Sequence, residues 1–209
     1  ENIPGVSLRY VKRPAELKDP DMILLPGSKN TMGDLRWLRE SGMEAAILKQ
    51  AAKGKVIFGI CGGYQMLGDT LHDPFGVEDG GSMKGMGLIP MDTEFTQNKT
   101  RTRAEGRFQT LSGDLGGMSG AAFSGYEIHM GESRLKDGAY PVTYMDDTVS
   151  GEAKEDGGYC KNVYGTYVHG IFDRETVTNA LLRSLAEKKG ISMDQLAEMD
   201  YAAFKETQY

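Results

Sequence analysis

The sequence predicts an α/β fold, a three-layer sandwich in which helices cover both faces of a mostly parallel central sheet. In the first third of the chain, strand patterns alternate with helical patterns, which is the order expected of parallel strands. The strand at 56–60 is almost wholly apolar, as strands buried on both faces are. The 209 residues suffice for one domain with a proper core, so we predict a single domain over 1–209.

The first half supplies strands and helices in turn. Alternating apolar and polar residues predict a strand over 6–11, and the apolar run at 21–25 predicts a second strand. Thr31 is the expected cap of a first helix at 31–39, in which apolar residues recur at helical spacing. A second helix is expected over 43–53, directly before the apolar strand.

The second half has many glycines and shorter patterns. Further strands are expected at 87–89, 93–95, 103–109, 125–130, 141–145 and 162–168. The turn-rich stretch 111–120 is expected to be a loop, and the acidic stretch 146–158 is expected to be a solvated hairpin or loop. Two helices should close the chain, one over 173–189 and one beginning at Ser192, where Gln195 would complete a capping-box pair.

Composition excludes several classes of function. The net charge is −6 and the pI is about 5.2, so no basic surface argues for nucleic acid or an anionic membrane as a partner. The two cysteines form no disulfide framework and no paired metal-ligand spacing, so no metal site is expected. No apolar run is long enough to span a bilayer, and no signal peptide pattern is present, so we expect a cytoplasmic protein.

The stretch from 55 to 67 carries the strongest chemical signal. It predicts a strand that turns sharply into a helix, with Cys61 at the corner and Gly59, Gly62 and Gly63 around it. This is the elbow arrangement of a nucleophile, in which small neighbours make room for a crowded backbone. The helix N-terminus should favour the thiolate of Cys61, and the Gly62 N–H should face an oxyanion formed there. The competing interpretation is a small core residue.

A cysteine nucleophile requires a base, and the chain offers three histidines. His169 and His129 each follow a predicted strand and precede a glycine-bearing turn, so spacing alone does not choose between them. His72 lies in a predicted turn and is expected at the surface. Gly27, in the loop after the second strand, allows close backbone approach and would complete an oxyanion hole, unless this loop is an ordinary glycine turn.

These motifs together resemble the class I glutamine amidotransferases, whose fold is flavodoxin-like, and more narrowly the glutaminase domains of the cobyric acid synthase family. The resemblance rests on the ordered set GICGGYQ at 59–65, TYVHG at 166–170, LPGSKNT at 25–31, GMGL at 85–88, GYEIHMG at 125–131 and GIFD at 170–173. The set covers the chain from about 21 to 173. No Walker A spacing is present, so ATP binding by the 26–31 loop is unsupported.

The resemblance implies roles for individual residues. Cys61 would be the nucleophile, His169 the base, Gly27 and Gly62 the oxyanion donors, and Gln65 a residue that holds substrate glutamine. Many class I relatives carry a glutamate two residues after the catalytic histidine, where this chain has Ile171. The histidine would then be oriented by another acceptor, such as a backbone carbonyl or Glu127, with His129 near it, or would act in a Cys–His dyad.

The resemblance also implies partners and cofactors. The chain would be the C-terminal part of a longer protein, which its start without Met also suggests. Ammonia from glutamine would pass to an N-terminal synthetase domain that uses ATP and Mg²⁺ to amidate a corrinoid, adenosylcobyrinic acid a,c-diamide, while this domain needs no cofactor. Two alternatives stay open: the glutaminase subunit of lipid II amidation, and a catalytically silent regulatory partner domain.

Overall fold

The structure is a computed structural model that describes residues 6–146 and 153–192. Its helices are α1 (Thr31–Glu40), α2 (Met43–Ala52), α3 (Gly62–Met66) and α4 (Glu175–Lys189), with 3₁₀ helices at Pro14–Glu16 and Gly113–Met118. Its strands are β1 (Met22–Leu25), β2 (Val56–Ile60), β3 (Thr70–Asp73), β4 (Gly81–Lys84), β5 (Met91–Phe108), β6 (Ala122–Leu135), β7 (Thr143–Asp146), β8 (Ala153–Asp156), β9 (Gly158–Cys160), β10 (Val163–Thr166) and β11 (Val168–His169).

The central sheet confirms the predicted α/β fold. Its order is β1-β2-β10-β9, with β2 parallel to both β1 and β10 and only β9 antiparallel. Alternate residues of β2 enter two separate cores: Ile57 packs with Leu35 of α1 and Ile47 of α2, whereas Phe58 packs with Val177 of α4. Because successive side chains of a strand point to opposite faces, an all-apolar strand requires cover on both, and the helices provide it.

A second sheet carries most of the later strands. Its order is β11-β6-β5-β3-β4, and β7 and β8 continue from β5. The long antiparallel pair β5 and β6 dominates it, and the two-residue strand β11 joins its edge through Val168 opposite Glu127 and His169 opposite Tyr126. This pairing places the segment after β10 against the middle of β6.

Three expectations about local structure were wrong. Residues 6–11 form no strand, because most of their side chains are exposed and no strand among the described residues pairs with them. Residues 87–89 form a turn whose amides bond to the carbonyls of 67 and 68 at the end of α3. Asn30, not Thr31, caps α1, and its Oδ1 accepts from the Gly33 N–H at 2.7 Å.

Other expectations differ from the structure in the length of an element or fall outside the described residues. The acidic stretch 146–158, expected to be a hairpin or loop, contains β8, which pairs antiparallel with β7. The separate strands expected at 93–95 and 103–109 are parts of the single strand β5. The turn-rich stretch 111–120 contains a 3₁₀ helix. The helix expected from Ser192 onward falls outside the described residues. Within the described ranges, no helix combines the length and apolar character that a membrane crossing requires.

Candidate active site

The corner between β2 and α3 is as crowded as the elbow pattern predicts. Cys61 has φ 52° and ψ −112°, a backbone conformation that residues other than glycine rarely adopt. A Cβ atom added at Gly63 would lie 2.2 Å from the Leu25 carbonyl oxygen, and one at Gly59 would lie 2.6 Å from the Tyr64 backbone. The glycines are therefore required because backbone passes directly beside them.

Cys61, His169 and Gly27 converge at this corner from three different segments. A Cβ atom added at Gly27 would lie 2.9 Å from His169 Cε1 and 3.7 Å from Cys61 Cβ. The loop after β1 therefore passes against both side chains, and a larger residue at position 27 would displace the His169 ring. The structure brings together the two residues that the resemblance pairs as nucleophile and base.

Gly62 lies against the same loop. A Cβ atom added at Gly62 would lie 2.7 Å from Ser28 Cβ and 2.9 Å from the Ser28 nitrogen. The Gly62 N–H donates toward the Cys61 sulfur and lowers the pKa of the thiol. Ser28 is itself fixed, since its hydroxyl donates to Asp34 and accepts from the Asn30 N–H. The backbone around the sulfur is therefore rigidly placed on both sides.

The expectation that the helix N-terminus favours a thiolate was wrong. Cys61 is only 6% exposed, and its burial raises the pKa of the thiol to about 11. The carboxylates of Asp156, Glu78 and Glu127 raise this pKa further, while the Gly62 N–H lowers it. The helix α3 has only five residues, so its N-terminus does not offset the burial. The thiol is protonated at neutral pH, and its S–H donates to the Ile128 carbonyl at 3.5 Å.

His169 is poised as a neutral imidazole. Partial burial lowers its pKa below the ordinary value of 6.5, the charge of His129 lowers it further, and the Ile128 carbonyl raises it. Its ring stacks on the ring of Tyr126, with centroids 5.1 Å apart and planes 5° from parallel. A neutral imidazole beside a protonated thiol can act as a general base.

Gln65 lies one turn beyond Cys61, and its side chain is turned into the protein. Its Oε1 accepts from the Thr31 hydroxyl at 3.1 Å. Its Nε2 donates to the Met130 carbonyl and to the Tyr167 hydroxyl, each at 3.2 Å. With 2% exposure and three protein partners, Gln65 joins α1, α3 and β6 beneath the corner.

Glu127 and His129 form a cluster beside His169. The carboxylate of Glu127 is 1% exposed and accepts from Lys154 Nζ at 2.9 and 3.1 Å. Burial raises the pKa of Glu127, but His129 and Lys154 outweigh that effect and hold the pKa below its ordinary value. His129 Nε2 lies 3.6 Å from this carboxylate, Nδ1 lies 3.0 Å from the Gly131 carbonyl, and the ring stacks on Tyr167 at 3.8 Å.

Sequence reasoning missed Asp156, a carboxyl group buried beneath the site. Its carboxylate accepts from the Thr166 hydroxyl and, at 3.3 Å, from the Tyr167 N–H. The Thr166 carbonyl in turn accepts from the Cys61 N–H at 2.8 Å. Burial raises the pKa of Asp156, and the nearby charge of Glu127 raises it further. Its place in the acidic stretch 146–158 gave no signal, because contact with β10 arises only on folding.

Two features lie apart from the corner. His72, expected in a surface turn, belongs to β3 and is half-buried, with Nδ1 3.0 Å from the Ser82 hydroxyl. Surface concavities of 290 and 300 Å³ lie along β5 and β7, and neither is lined by Cys61 or His169. Among residues 6–146 and 153–192, no three His, Cys, Asp or Glu side chains are grouped as a metal would need. The convergence of side chains, rather than a large cavity, marks the candidate site.

Solved structures identify the class of this fold. A structure described as a glutamine amidotransferase superimposes with a TM-score of 0.62 at 17% identity and covers 88% of each chain. The structure of PurLQS from Thermotoga maritima superimposes with a TM-score of 0.57 at 21% identity over 79% of this chain and 80% of that one. At these identities the likeness establishes the fold, which is that of the class I glutamine amidotransferases.

Sequence comparison identifies the family. The family model of the CobB/CobQ-like glutamine amidotransferase domain matches residues 1–177 of this chain. The cobyric acid synthase of Ruminiclostridium cellulolyticum is 48% identical over all of this chain, and that of Lachnoclostridium phytofermentans is 46% identical. The chain belongs to the CobB/CobQ-like glutamine amidotransferase domain family. It spans 41% and 42% of the length of these two relatives.

Proposed function

We propose that this chain is the glutaminase part of a cobyric acid synthase and hydrolyses glutamine through a thioester on Cys61. The observation that carries the proposal is the convergence of Cys61, His169 and Gly27 at one strained corner. The names of the relatives favour this function over lipid II amidation, and the intact Cys61, Gln65 and His169 favour it over a silent partner domain.

The first half of the reaction starts from a neutral pair, not from a thiolate. As Cys61 Sγ bonds to the amide carbon of glutamine, its proton passes to the neutral imidazole of His169. The N–H groups of Gly62 and Gly27 would stabilise the oxyanion, and single donors of this kind are worth about 2.7–4 kcal/mol. The imidazolium then protonates the amide nitrogen, the C–N bond breaks, ammonia leaves, and a glutamyl thioester remains.

The second half returns the enzyme to its resting state. His169 takes a proton from water as the water oxygen bonds to the thioester carbon. The C–S bond then breaks, the imidazolium returns its proton to the sulfur, and glutamate leaves. The high pKa of the Cys61 thiol favours this last proton return. In this scheme a single imidazole serves as base and acid in both halves.

The residues around the pair have supporting roles in this proposal. The side chain of Gln65 is held by Thr31 and Tyr167, so it would already be in a fixed position when it binds glutamine. His129 and Lys154 together keep Glu127 ionised, and that carboxylate faces His129 rather than making a hydrogen bond with His169. Glu127 is therefore a poor candidate for a third member of a catalytic triad.

The ammonia would be consumed outside this chain. In a complete enzyme it would pass to a synthetase domain, which would use ATP and Mg²⁺ to amidate adenosylcobyrinic acid a,c-diamide for cobalamin biosynthesis. The share of the relatives that this chain leaves uncovered, more than half of their length, has room for such a domain. The ligation would belong to that domain and the glutamine hydrolysis to this one.

Covalent labelling by 6-diazo-5-oxo-norleucine, a glutamine analogue, tests the proposal. We expect one adduct, located at Cys61 by peptide mass spectrometry, since labelling requires only the first attack and not full turnover. Cys160→Ala is the matched control, because Cys160 is the other free cysteine and should not affect labelling. His169→Ala should slow labelling at least 100-fold, within the usual range for removing a general base.

The variant Cys61→Ala separates chemistry from folding. It should abolish labelling while retaining a cooperative unfolding transition, because the side chain lost is small. An unlabelled wild-type protein would support the silent-partner alternative. Loss of cooperative unfolding in Cys61→Ala would show that the residue is chiefly part of the core.

A further inference from the structure

The ring of Tyr126 is held directly against the imidazole of His169. The two residues are opposed across the antiparallel pair of β6 and β11, so their side chains share one face of the sheet. Their rings are stacked 5° from parallel with centroids 5.1 Å apart. This offset-stacked arrangement is favourable for aromatic rings. Tyr126 is nevertheless 49% exposed, so the fold does not need its ring to fill the core.

Strand β6 holds the His169 segment at successive positions. A Cβ atom added at Gly125 would lie 2.1 Å from the His169 carbonyl oxygen, so the backbones touch there. The Ile128 carbonyl interacts with the imidazole and raises its pKa. Because β11 is only two residues long, few backbone bonds hold it, and these contacts with β6 add to them.

In the described part of the chain, no carboxylate fixes the orientation of the His169 ring. The nearest candidate, Glu127, directs both carboxylate oxygens to Lys154, and its second neighbour is His129 at 3.6 Å. Among the described residues, no Asp or Glu side chain makes a hydrogen bond with His169. The ring orientation therefore depends on the Ile128 carbonyl, on the Tyr126 face and on the loop at Gly27, against which the ring lies.

We infer that Tyr126 is a positioning residue, whose ring holds the His169 imidazole in the orientation that accepts the Cys61 proton. The inference rests on the proposed glutaminase function. The aromatic face is what matters, since the stack involves the ring and no hydrogen bond. Loss of the ring should lower the rate of the chemical step and leave substrate affinity nearly unchanged.

The test compares three variants by saturation kinetics of 6-diazo-5-oxo-norleucine labelling. In Tyr126→Ala, the maximal labelling rate should fall about tenfold while the half-saturating concentration stays within twofold of wild type. Tyr126→Phe, which keeps the ring, should restore the rate to within twofold. Tyr144→Ala is the control for an exposed tyrosine of the same sheet, 45% exposed on β7, and should match wild type.

Each contrary outcome has a distinct meaning. A higher half-saturating concentration with an unchanged maximal rate in Tyr126→Ala would show that Tyr126 contacts the substrate, and it would overturn the positioning role. A defect in Tyr126→Phe equal to that in Tyr126→Ala would assign the effect to the hydroxyl and overturn it too. A wild-type protein that is not labelled at all would overturn the proposed function, whereas labelled variants identical to wild type would overturn only the role of Tyr126.

Discussion

The corner that presents Cys61 and the β-strand pair that surrounds His169 are built in opposite ways. The corner, residues 56–67, is local: a buried strand, a strained residue and a short helix follow each other within twelve positions. His169 lies on β11, a two-residue strand held by β6, whose residues lie about 40 positions earlier in the chain. Cys61 is placed by backbone sterics and His169 by long-range sheet pairing.

This difference predicts that the two halves of the site differ in their tolerance to substitution. At the corner, a Cβ atom added at Gly59, Gly62 or Gly63 would lie 2.2–2.9 Å from a backbone atom, so even a methyl group is excluded. Around His169, one backbone position is equally closed, since a Cβ atom at Gly125 would lie 2.1 Å from the His169 carbonyl oxygen, but the side-chain contacts are ring stacking, a carbonyl and a partly exposed ion pair between Glu127 and Lys154. Interactions of that second kind are individually worth about 1 kcal/mol, so single changes there should weaken the site without unfolding it.

The largest effect is expected at Gly63. In Gly63→Ala the new methyl group would meet the Leu25 carbonyl oxygen at 2.2 Å, and it would push β1 away from α3. We expect the free energy of unfolding in urea to fall by about 3 kcal/mol, as for severe overpacking. The control Gly116→Ala meets its nearest neighbour, the Leu111 carbonyl oxygen, only at 3.5 Å and should change stability by less than about 1 kcal/mol. Equal effects of the two variants would show that the corner is not sterically closed.

A smaller effect is expected at Lys154 in the sheet region. Lys154→Met would leave the buried Glu127 carboxylate without its cation and should cost about 1 kcal/mol at pH 7, less than for a fully buried pair because Lys154 is 47% exposed. Since the folded state holds the pKa of Glu127 below 4.5, the ionised group stabilises the protein above that pH, and this stabilisation is lost as the pH falls. The loss caused by Lys154→Met should therefore shrink toward pH 4.

The matched control for that variant is Lys189→Met. Lys189 pairs with Asp21 at 3.0 Å, but both side chains are nearly half-exposed, so the change should be within about 0.5 kcal/mol at every pH. Urea unfolding at pH 4, 5.5 and 7 measures both variants. A pH-independent loss in Lys154→Met would contradict the assigned ion pair.

The smallest effect concerns the pH dependence of the labelling rate at Cys61. Because the pKa of His169 lies below 6.5 and that of the Cys61 thiol is about 11, the general base is already available at neutral pH while the thiol stays protonated. The second-order rate of labelling by 6-diazo-5-oxo-norleucine should rise with a midpoint below 6.5 and then be flat from pH 7 to 8.5. A tenfold increase per pH unit across that upper range would indicate that a preformed thiolate is the attacking species.

The sequence predicted the corner well because its determinants are adjacent in the chain. The apolar run of β2, the glycines and the following helix each leave a local pattern, and the structure has all three in place. The prediction that Cys61 ionises easily was wrong, because burial depends on strands that lie far away in sequence. In the same way, the strand predicted at 6–11 had the right alternation, but none of the described strands pairs with it.

The choice between the two histidines shows the same limit. Spacing alone left His129 and His169 equal, and only the resemblance favoured His169. The structure places the His169 ring against Gly27 beside Cys61, whereas His129 stacks on Tyr167 and bonds toward Gly131. In the structure His129 lies within β6 and His169 lies within β11, so the difference arises from the neighbours that each side chain meets after folding.

By itself, the sequence determined the α/β class, the elbow and the place of Cys61 at its corner, because strand burial and backbone strain depend on neighbouring residues. Only the tertiary structure decided the protonation of Cys61, the surroundings of His169 and the position of Asp156. These depend on desolvation and on contacts between β6, β10 and β11, which no local pattern encodes, because they exist only once distant segments are paired.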